Sequence, residues 1–267
     1  MNAADTHDKD CVCDLLIQGA LEQELAPLRN ALEGPLMETA DPWTFWTGSI
    51  GRIKVVLSRT DEGPLNAAAA TALGIHRFHP RAIVNHSLAG AHNSELHKGD
   101  IVVGKCTVDY SGFRSVSAGR GEGIHCWRWS PKPHKIRTSQ DVITSFYSFP
   151  ADPLLLELAM RVRYEQGRVL TGTIGSALQY NREVDRVVWL RETYGTDSED
   201  QESAYAAGVA VAMHIPFLSV RVISDSLFTD PVLDKSLGRL SAEFVLALIE
   251  LIATEWQRDR GIVDAKT

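Results

Sequence analysis

The chain has 267 residues, of which 44% are hydrophobic, and its formal net charge is -7 at pH 7. This size suits one large α/β domain or two small ones, with enough apolar content for a sizeable core. The acidic balance disfavours non-specific nucleic-acid binding, which depends on a basic surface. No apolar run approaches the roughly 20 residues needed to cross a bilayer, so no membrane partner is expected.

The N-terminus and the cysteines indicate the compartment. Residues 1–10 are polar and lack a basic segment followed by an apolar core, so we expect a disordered leader and no signal peptide. Four cysteines show no disulfide-framework spacing. Reduced thiols in a cytoplasmic protein are therefore expected.

The first part of the chain predicts alternating strands and helices. Apolar runs and helical periodicity predict the following elements: a strand at 11–18, a helix at 22–32, a hairpin of 44–50 and 53–57, a helix at 66–73 capped by Asn66, and strands at 82–85 and 101–108.

The region 109–150 is the least regular, rich in Gly, Pro, Ser, Trp and His, which is typical of a functional or interface loop. Beyond it the pattern predicts further elements: helices at 152–163, 181–194, 198–213 and 240–256, and strands at 169–175 and 217–225. Such alternation implies a single α/β domain, residues 11–267, around a mainly parallel or mixed sheet.

The last predicted strand carries the clearest chemical signal. Residues 217–225 form an apolar run that ends in Arg221, Ser224 and Asp225. Buried parallel strands read as hydrophobic runs, and ligands of open α/β sheets gather at the carboxyl ends of such strands. A surface ion pair at a strand end is the competing interpretation.

Two acidic pairs lie near the starts of predicted helices. Glu22 and Asp200 have an ordinary explanation, because carboxylates near a helix N-terminus complement its dipole. Glu24 and Glu202 lie deeper, where a polar side chain on a packed face needs a reason. A turn of small residues, 85–90, adds backbone N–H groups that suit an anion or a hydroxyl.

Four motifs occur in the order and spacing of a known family. They are Gly19-Ala-Leu-Glu-Gln-Glu24, Asn85-His-Ser-Leu-Ala-Gly-Ala91 with Lys98-Gly-Asp-Ile-Val-Val103, Glu199-Asp-Gln-Glu-Ser-Ala204, and Val220-Arg-Val-Ile-Ser-Asp225. Together they resemble the nucleoside phosphorylase and nucleosidase superfamily, and within it the methylthioadenosine/S-adenosylhomocysteine nucleosidases. The resemblance spans about residues 14–228 and implies a three-layer αβα sandwich around a mixed central sheet.

The resemblance implies three catalytic residues. Asp225 would protonate the purine as the glycosidic bond breaks, because an adenine anion is a poor leaving group. Glu202 would hold the ribose hydroxyls and favour an oxocarbenium-like sugar. Glu24 would orient or deprotonate the attacking water.

The resemblance also implies a substrate-binding set. Arg221 would help position the water and fix the carboxylates, and Tyr180 would stack on the purine face. The whole set is Arg221, Ser224, Tyr180, Gln201, Leu88, Ala89 and Gly90, with no metal and no cofactor.

Three of the family's pocket positions differ in this chain. Leu88 stands where a Ser or Thr is expected, with Ser87 one place earlier; Gln201 replaces a methionine; and Leu178 replaces an Asp in the purine loop. Two interpretations stay open: a nucleosidase with a different nucleoside as substrate, or a non-catalytic nucleoside-binding relative.

The second open question is whether water or phosphate attacks the sugar. Phosphorolysis needs a basic cradle that binds phosphate. Glu24 in the opening turn would repel phosphate, and Arg59 lies beside Asp61 and Glu62, as solvated surface groups do. The sequence therefore favours hydrolysis of the N-glycosidic bond of a 5′-modified adenine nucleoside, with a phosphorylase as the alternative.

Two weaker features have ordinary explanations. His86, His92 and His97 surround the Ala-Gly turn. A zinc site is the alternative there, but scattered histidines are usually structural or solvated, so we expect no metal. Aromatic residues in 109–150 suggest an interface. Because family members pair, a homodimer is expected in which Tyr110 and Phe113 wall a neighbour's pocket, packing onto their own core being the alternative.

Overall fold

The computed structural model describes residues 13–40 and 42–259. Within them the strands are β1 (Leu15–Gly19), β2 (Glu33–Ala40), β3 (Trp43–Ile50), β4 (Ile53–Arg59), β5 (Ala82–Ala91), β6 (Ile101–Asp109), β7 (Phe113–Arg114), β8 (Ser130–Pro131), β9 (His134–Ser139), β10 (Val142–Phe146), β11 (Phe149–Pro150), β12 (Val169–Ser176), β13 (Ser198–Asp200) and β14 (Phe217–Ser226). The helices are α1 (Glu22–Ala31), α2 (Pro64–Phe78), α3 (Pro153–Met160), α4 (Val184–Tyr194), α5 (Ser203–Ala212) and α6 (Gly238–Asp259).

Ten of these strands form one mixed sheet, in the order β11-β6-β12-β13-β5-β1-β4-β3-β2, with β14 pairing both β5 and β6. β1 runs parallel to β4 and β5, and β14 runs parallel to β5 but antiparallel to β6. The carboxyl ends of β1, β5 and β14 therefore meet at one edge of the sheet. Short β13 joins them there, with Glu199 paired to Gly90.

Helices cover both faces of the sheet. On one face α1, α3 and α6 pack together, and their apolar side chains share a core with Leu15, Val84 and Val220 of the sheet. On the other face α2 packs on α5, around Phe45 and Phe217. This arrangement confirms the predicted three-layer αβα sandwich around a mixed sheet. In the described part of the chain, no helix has the length and apolarity to cross a membrane.

Most predicted elements are present with shifted ends, and one strand was missed. β2 was not predicted, because Gly34 and Pro35 interrupt its sequence and its residues are mostly exposed. α2 begins at Pro64 with Gly63 as its N-cap, whereas the Asn66 side chain instead donates to the Glu62 carbonyl. The first predicted strand begins later than expected, at Leu15.

The predicted helix 198–213 is wrong in its first five residues. Residues 198–200 form β13 between β12 and β5, and α5 begins only at Ser203 with Glu202 as N-cap. Hydrogen bonds to two sheet strands are available to 198–200, and these outweigh the helical pattern. Likewise α4 starts at Val184 and not at 181.

Residues 109–150 contain only short strands and a three-residue 3₁₀ turn, Cys126–Arg128. β7 pairs with β8, and β9 pairs with β10, outside the main sheet. The predicted leader 1–10 and Cys11 lie outside the described residues, so that boundary stays a prediction.

Candidate active site

A cavity of about 300 Å³ opens at the sheet edge where β1, β5 and β14 end. It is bordered by the ends of these strands, by β13 and by the residues leading into α1 and α5. Its lining carboxylates are Glu24, Glu62, Glu199, Asp200, Glu202 and Asp225. Among the described residues, the lining contains a single basic side chain, that of Lys235.

Asp225 lies at the end of β14, 5% exposed. The Ser224 hydroxyl donates to its Oδ1 at 2.7 Å and also to the Ala89 carbonyl at 3.1 Å. Burial raises the pKa of Asp225, and the hydrogen bond from Ser224 offsets only part of that rise. A carboxyl group biased toward its protonated form at a cavity wall is suited to donate a proton.

Glu24 is fully buried in the first turn of α1. Its Oε2 accepts the N–H groups of Ala20 and Leu21, each at 2.8 Å, and its Oε1 accepts the Ser87 hydroxyl at 2.5 Å. Burial raises the pKa of Glu24 even though these bonds and the Arg221 charge act in the opposite direction. Glu24 is thus held in one orientation and is more basic than an ordinary glutamate.

Glu202 is the N-cap residue of α5, and its side chain lines the cavity. Its Oε1 accepts the Gly63 N–H at 2.8 Å, which ties the loop before α2 to the cavity. Burial and the nearby Asp200 carboxylate raise the pKa of Glu202 to about 7. Glu202 therefore loses its proton less readily than an exposed glutamate, because its charge would be buried beside that of Asp200.

Arg221 is wholly buried beneath these carboxylates. Its Nε donates to Asp200 Oδ2 at 2.5 Å, and its Nη2 donates to Asn85 Oδ1 at 2.5 Å. Burial raises the pKa of both Glu24 and Glu202, and the guanidinium charge offsets part of that rise. Arg221 thus acts on the site through its charge and through Asp200, and it is not among the lining residues.

Tyr180 lines the cavity on the loop after β12, where its hydroxyl lies 3.4 Å from Asp225 Oδ2. The Arg182 guanidinium stacks over its ring, 5.3 Å from the centroid, and donates to the Pro231 carbonyl. Tyr180 is half-exposed, so one ring face is free of core packing.

The remaining predicted residues share the same cavity. Leu88, Ala89, Gly90 and Gln201 all line it, and Ser87 does so as well. Leu178 is exposed, and its side chain lies close to Gly63, as does that of Gln201. Ser87 lies one residue before Leu88, and its hydroxyl donates a hydrogen bond to Glu24.

Glu199 was part of a motif but was not predicted as a site residue. It lines the cavity beside Gly90 and is 7% exposed. A signal was present, because Glu199, Asp200 and Glu202 place three acids within four positions, more than a helix dipole needs. The signal was missed because residues 198–213 were predicted to form one helix.

Tyr110 corrects the interface prediction. It is fully buried, and its hydroxyl donates to Glu199 Oε2 at 2.7 Å, so it belongs to its own site and not to a neighbour's. Phe113 stacks on Trp129 with centroids 4.1 Å apart. Of the candidate histidines, His86 contacts the Ser241 hydroxyl, and His92 contacts Thr196 and Glu199.

Comparison with known proteins identifies the family to which the chain belongs. A family model of the phosphorylase superfamily matches residues 14–251. The 5′-methylthioadenosine/S-adenosylhomocysteine nucleosidase of Aeromonas salmonicida is 26% identical over 241 residues, which cover 87% of this chain and 97% of that protein. The enzyme of the same name from Bacillus pumilus is 27% identical over 218 residues, covering 79% and 85%.

Solved structures agree with the fold. The nucleosidase of that name from Neisseria meningitidis, in complex with methylthio-immucillin-A, has a TM-score of 0.72 at 23% identity, covering 89% of this chain and 98% of that one. A futalosine hydrolase mutant of Helicobacter pylori has a TM-score of 0.71 at 18% identity, covering 90% and 99%. These findings confirm the resemblance carried by the four motifs: the chain belongs to the phosphorylase superfamily and is similar to its 5′-methylthioadenosine/S-adenosylhomocysteine nucleosidases.

Proposed function

We propose that the protein is a nucleosidase that hydrolyses the N-glycosidic bond of a 5′-modified adenine nucleoside, using water and neither metal nor cofactor. The observation that carries the proposal is the convergence of Glu24, Glu202 and Asp225 on one cavity of nucleoside-like size. Each of the three is almost fully buried, and each has a raised pKa. Perturbed carboxyl groups in a cleft are typical of acid–base chemistry.

Asp225 takes the role of general acid. Its proton passes to N7 of the purine while the bond between C1′ and N9 breaks, so the base leaves neutral. Ser224 holds the carboxyl in place through Oδ1, which leaves Oδ2 near the hydroxyl of Tyr180. The Tyr180 ring then packs on the base, where aromatic contact is favourable.

Glu24 binds and activates the attacking water, and Glu202 binds the sugar. The ionised Glu24 takes a proton from water as its oxygen joins C1′, which yields the sugar hemiacetal and balances the proton lost by Asp225. Glu202 accepts the ribose hydroxyls and stabilises the positive charge that develops on the sugar ring. Arg221 sets the charge of both carboxylates from below without touching substrate.

Charge at the cavity supports hydrolysis over phosphorolysis. Six carboxylates and one lysine line it, and that lysine, Lys235, lies 3.7 Å from Glu62. Arg59, the candidate for a phosphate cradle, pairs instead with Asp61 at 3.3 Å. A phosphate dianion would meet strong repulsion in such surroundings.

Apolar residues support a substrate with an apolar 5′ group. Leu21, Leu88 and Leu233 line the cavity, and Leu178 is exposed near its mouth. The relatives named for methylthioadenosine and S-adenosylhomocysteine support the same substrate class. A fold neighbour named for futalosine adds that nucleoside to the compounds worth assaying.

We further propose a cytoplasmic homodimer. Exposed apolar side chains gather in the irregular region 109–150, namely Ile124, Trp127, Val142, Ile143 and Tyr147. Apolar groups of this kind are typical of interfaces. Light scattering after size exclusion tests the oligomer directly, and a monomer at micromolar concentration would overturn this part.

The function is tested by incubating the protein with methylthioadenosine, S-adenosylhomocysteine, adenosine, inosine and futalosine, with and without phosphate, and separating the bases by chromatography. Phosphate-independent release of adenine from a 5′-modified nucleoside is expected. Release only with phosphate would make the protein a phosphorylase. No release, together with thermal stabilisation by a nucleoside, would make it a binding protein.

A further inference from the structure

We propose that Glu199 is a specificity-determining residue, which accepts a hydrogen bond from the 6-amino group of the purine and rejects 6-oxo purines. The proposal rests on the nucleosidase function above and deepens it by naming the residue that selects adenine over 6-oxo bases. No role for Glu199 follows from the catalytic scheme, in which Asp225, Glu24 and Glu202 account for every proton.

Glu199 lies near Asp225 in the cavity wall. Glu199 and Asp225 flank Gly90 at the same end of the cavity: a Cβ placed on Gly90 would lie 3.6 Å from Asp225 Oδ2 and 3.8 Å from Glu199 Oε1. Gly90 itself lines the cavity. The two carboxylate oxygens therefore stand side by side on one wall, with no side chain between them.

The two oxygens match one edge of a purine. N7 and the substituent on C6 point from the same edge of the ring system. A base that presents N7 to Asp225 therefore turns its C6 substituent toward the neighbouring group, which here is Glu199. Glu24 and Glu202 are left for the sugar and the water.

The partners of Glu199 leave one oxygen available. Its Oε2 is contacted by the Tyr110 hydroxyl at 2.7 Å, by His92 Nε2 at 3.1 Å and by the Asn181 side-chain amide. In the part of the chain that the structure describes, Oε1 accepts only the backbone N–H of Asn181, at 3.2 Å. A carboxylate oxygen accepts two hydrogen bonds, so Oε1 has room for a donor from the base.

The surroundings of Glu199 favour its ionised form, whereas those of Asp225 favour its protonated form. Burial acts to raise the pKa of Glu199, but His92, Tyr110 and Asn181 outweigh it and lower the pKa, whereas burial raises the pKa of Asp225. Asp225 is thus a donor and Glu199 an acceptor. An ionised carboxylate has no proton to offer a 6-oxo group, so the carbonyl would face it oxygen to oxygen.

The test compares E199Q with the wild-type protein and with E62Q. Glutamine keeps the shape of glutamate but adds an N–H donor, and E62Q makes the same change at a lining residue whose side chain is 61% exposed. Two ratios are measured for each protein: kcat/KM for a 6-amino against the matching 6-oxo nucleoside, and the affinity for free adenine against hypoxanthine by calorimetry.

The wild-type protein should favour the 6-amino compound at least about tenfold in both ratios. E199Q should lower each ratio by about tenfold or more, with the 6-oxo compound gaining, and E62Q should keep the wild-type ratios. Unchanged ratios in E199Q, or an equal drop in E62Q, would overturn the proposal.

A second measurement needs no variant, in case E199Q does not fold. Inhibition of the wild-type protein should weaken in the order adenine, purine, hypoxanthine, because purine lacks a group at C6 and hypoxanthine presents oxygen there. Hypoxanthine binding as tightly as purine would overturn the proposal. Base selectivity in calorimetry without any turnover would instead defeat the proposed hydrolysis and leave the role of Glu199 standing.

Discussion

Replacing Glu202 by glutamine should stabilise the protein at alkaline pH and leave its stability unchanged under mildly acidic conditions. The Glu202 carboxyl is 6% exposed, next to Asp200, and its pKa is raised to about 7 from an ordinary 4.5. Glutamine mimics the protonated acid, and its amide oxygen can still accept the Gly63 N–H. The variant therefore removes a buried charge while keeping the main contact.

The sign follows from proton binding. Between pH 4.5 and 7 the folded protein holds a proton at Glu202 that the unfolded chain has released, so the free energy of unfolding falls as pH rises through this window. Above pH 7 the loss is complete. A shift from 4.5 to about 7 corresponds to at most about 3 kcal/mol, or a Tm higher by about 5–10 °C for the variant.

The assay is thermal unfolding of wild type and E202Q at pH 5 and pH 8. The matched control is E62Q, since Glu62 also lines the cavity but its side chain is 61% exposed. E202Q should exceed wild type at pH 8 only, and E62Q should track wild type at both values. An E202Q protein that is no more stable than wild type at pH 8 would refute the electrostatic account of this residue.

Three further substitutions test the other charged groups of the site. D225N should lower kcat by about 100-fold or more with little change in Tm, because the proton donor is lost while the bond from Ser224 is kept; near wild-type turnover would exclude Asp225 as the acid. E24Q should abolish hydrolysis while calorimetry still detects adenine, and loss of both would indicate a structural role. R221M should destabilise the protein by about 3–5 kcal/mol, because it leaves Asp200 buried without its partner. Adding D200N should recover part of that loss in urea unfolding, and no recovery would contradict the pairing.

Where the signals were local, the sequence located residues that line the cavity. The apolar run of β14 with Asp225 at its end, and the acid of the opening turn at Glu24, could be located from composition and spacing alone. Both depend on short-range patterns, burial of a strand and the start of a helix, which a sequence records directly.

The features missed depend on tertiary contacts. β2 is an edge strand whose exposed residues pair only with β3, so it leaves no apolar pattern. β13 gains its hydrogen bonds from β12 and β5, which are distant in sequence. The environment of Glu199, built by Tyr110, His92 and Asn181, appears only when these elements meet.

The most direct measurement is the mass of the sugar released from methylthioadenosine in ¹⁸O-labelled water, with phosphate present. The account predicts adenine and a sugar that carries one ¹⁸O at C1, because the six carboxylates of the cavity exclude phosphate and Glu24 activates water. A sugar 1-phosphate without the label, or intact nucleoside after prolonged incubation, would contradict the account.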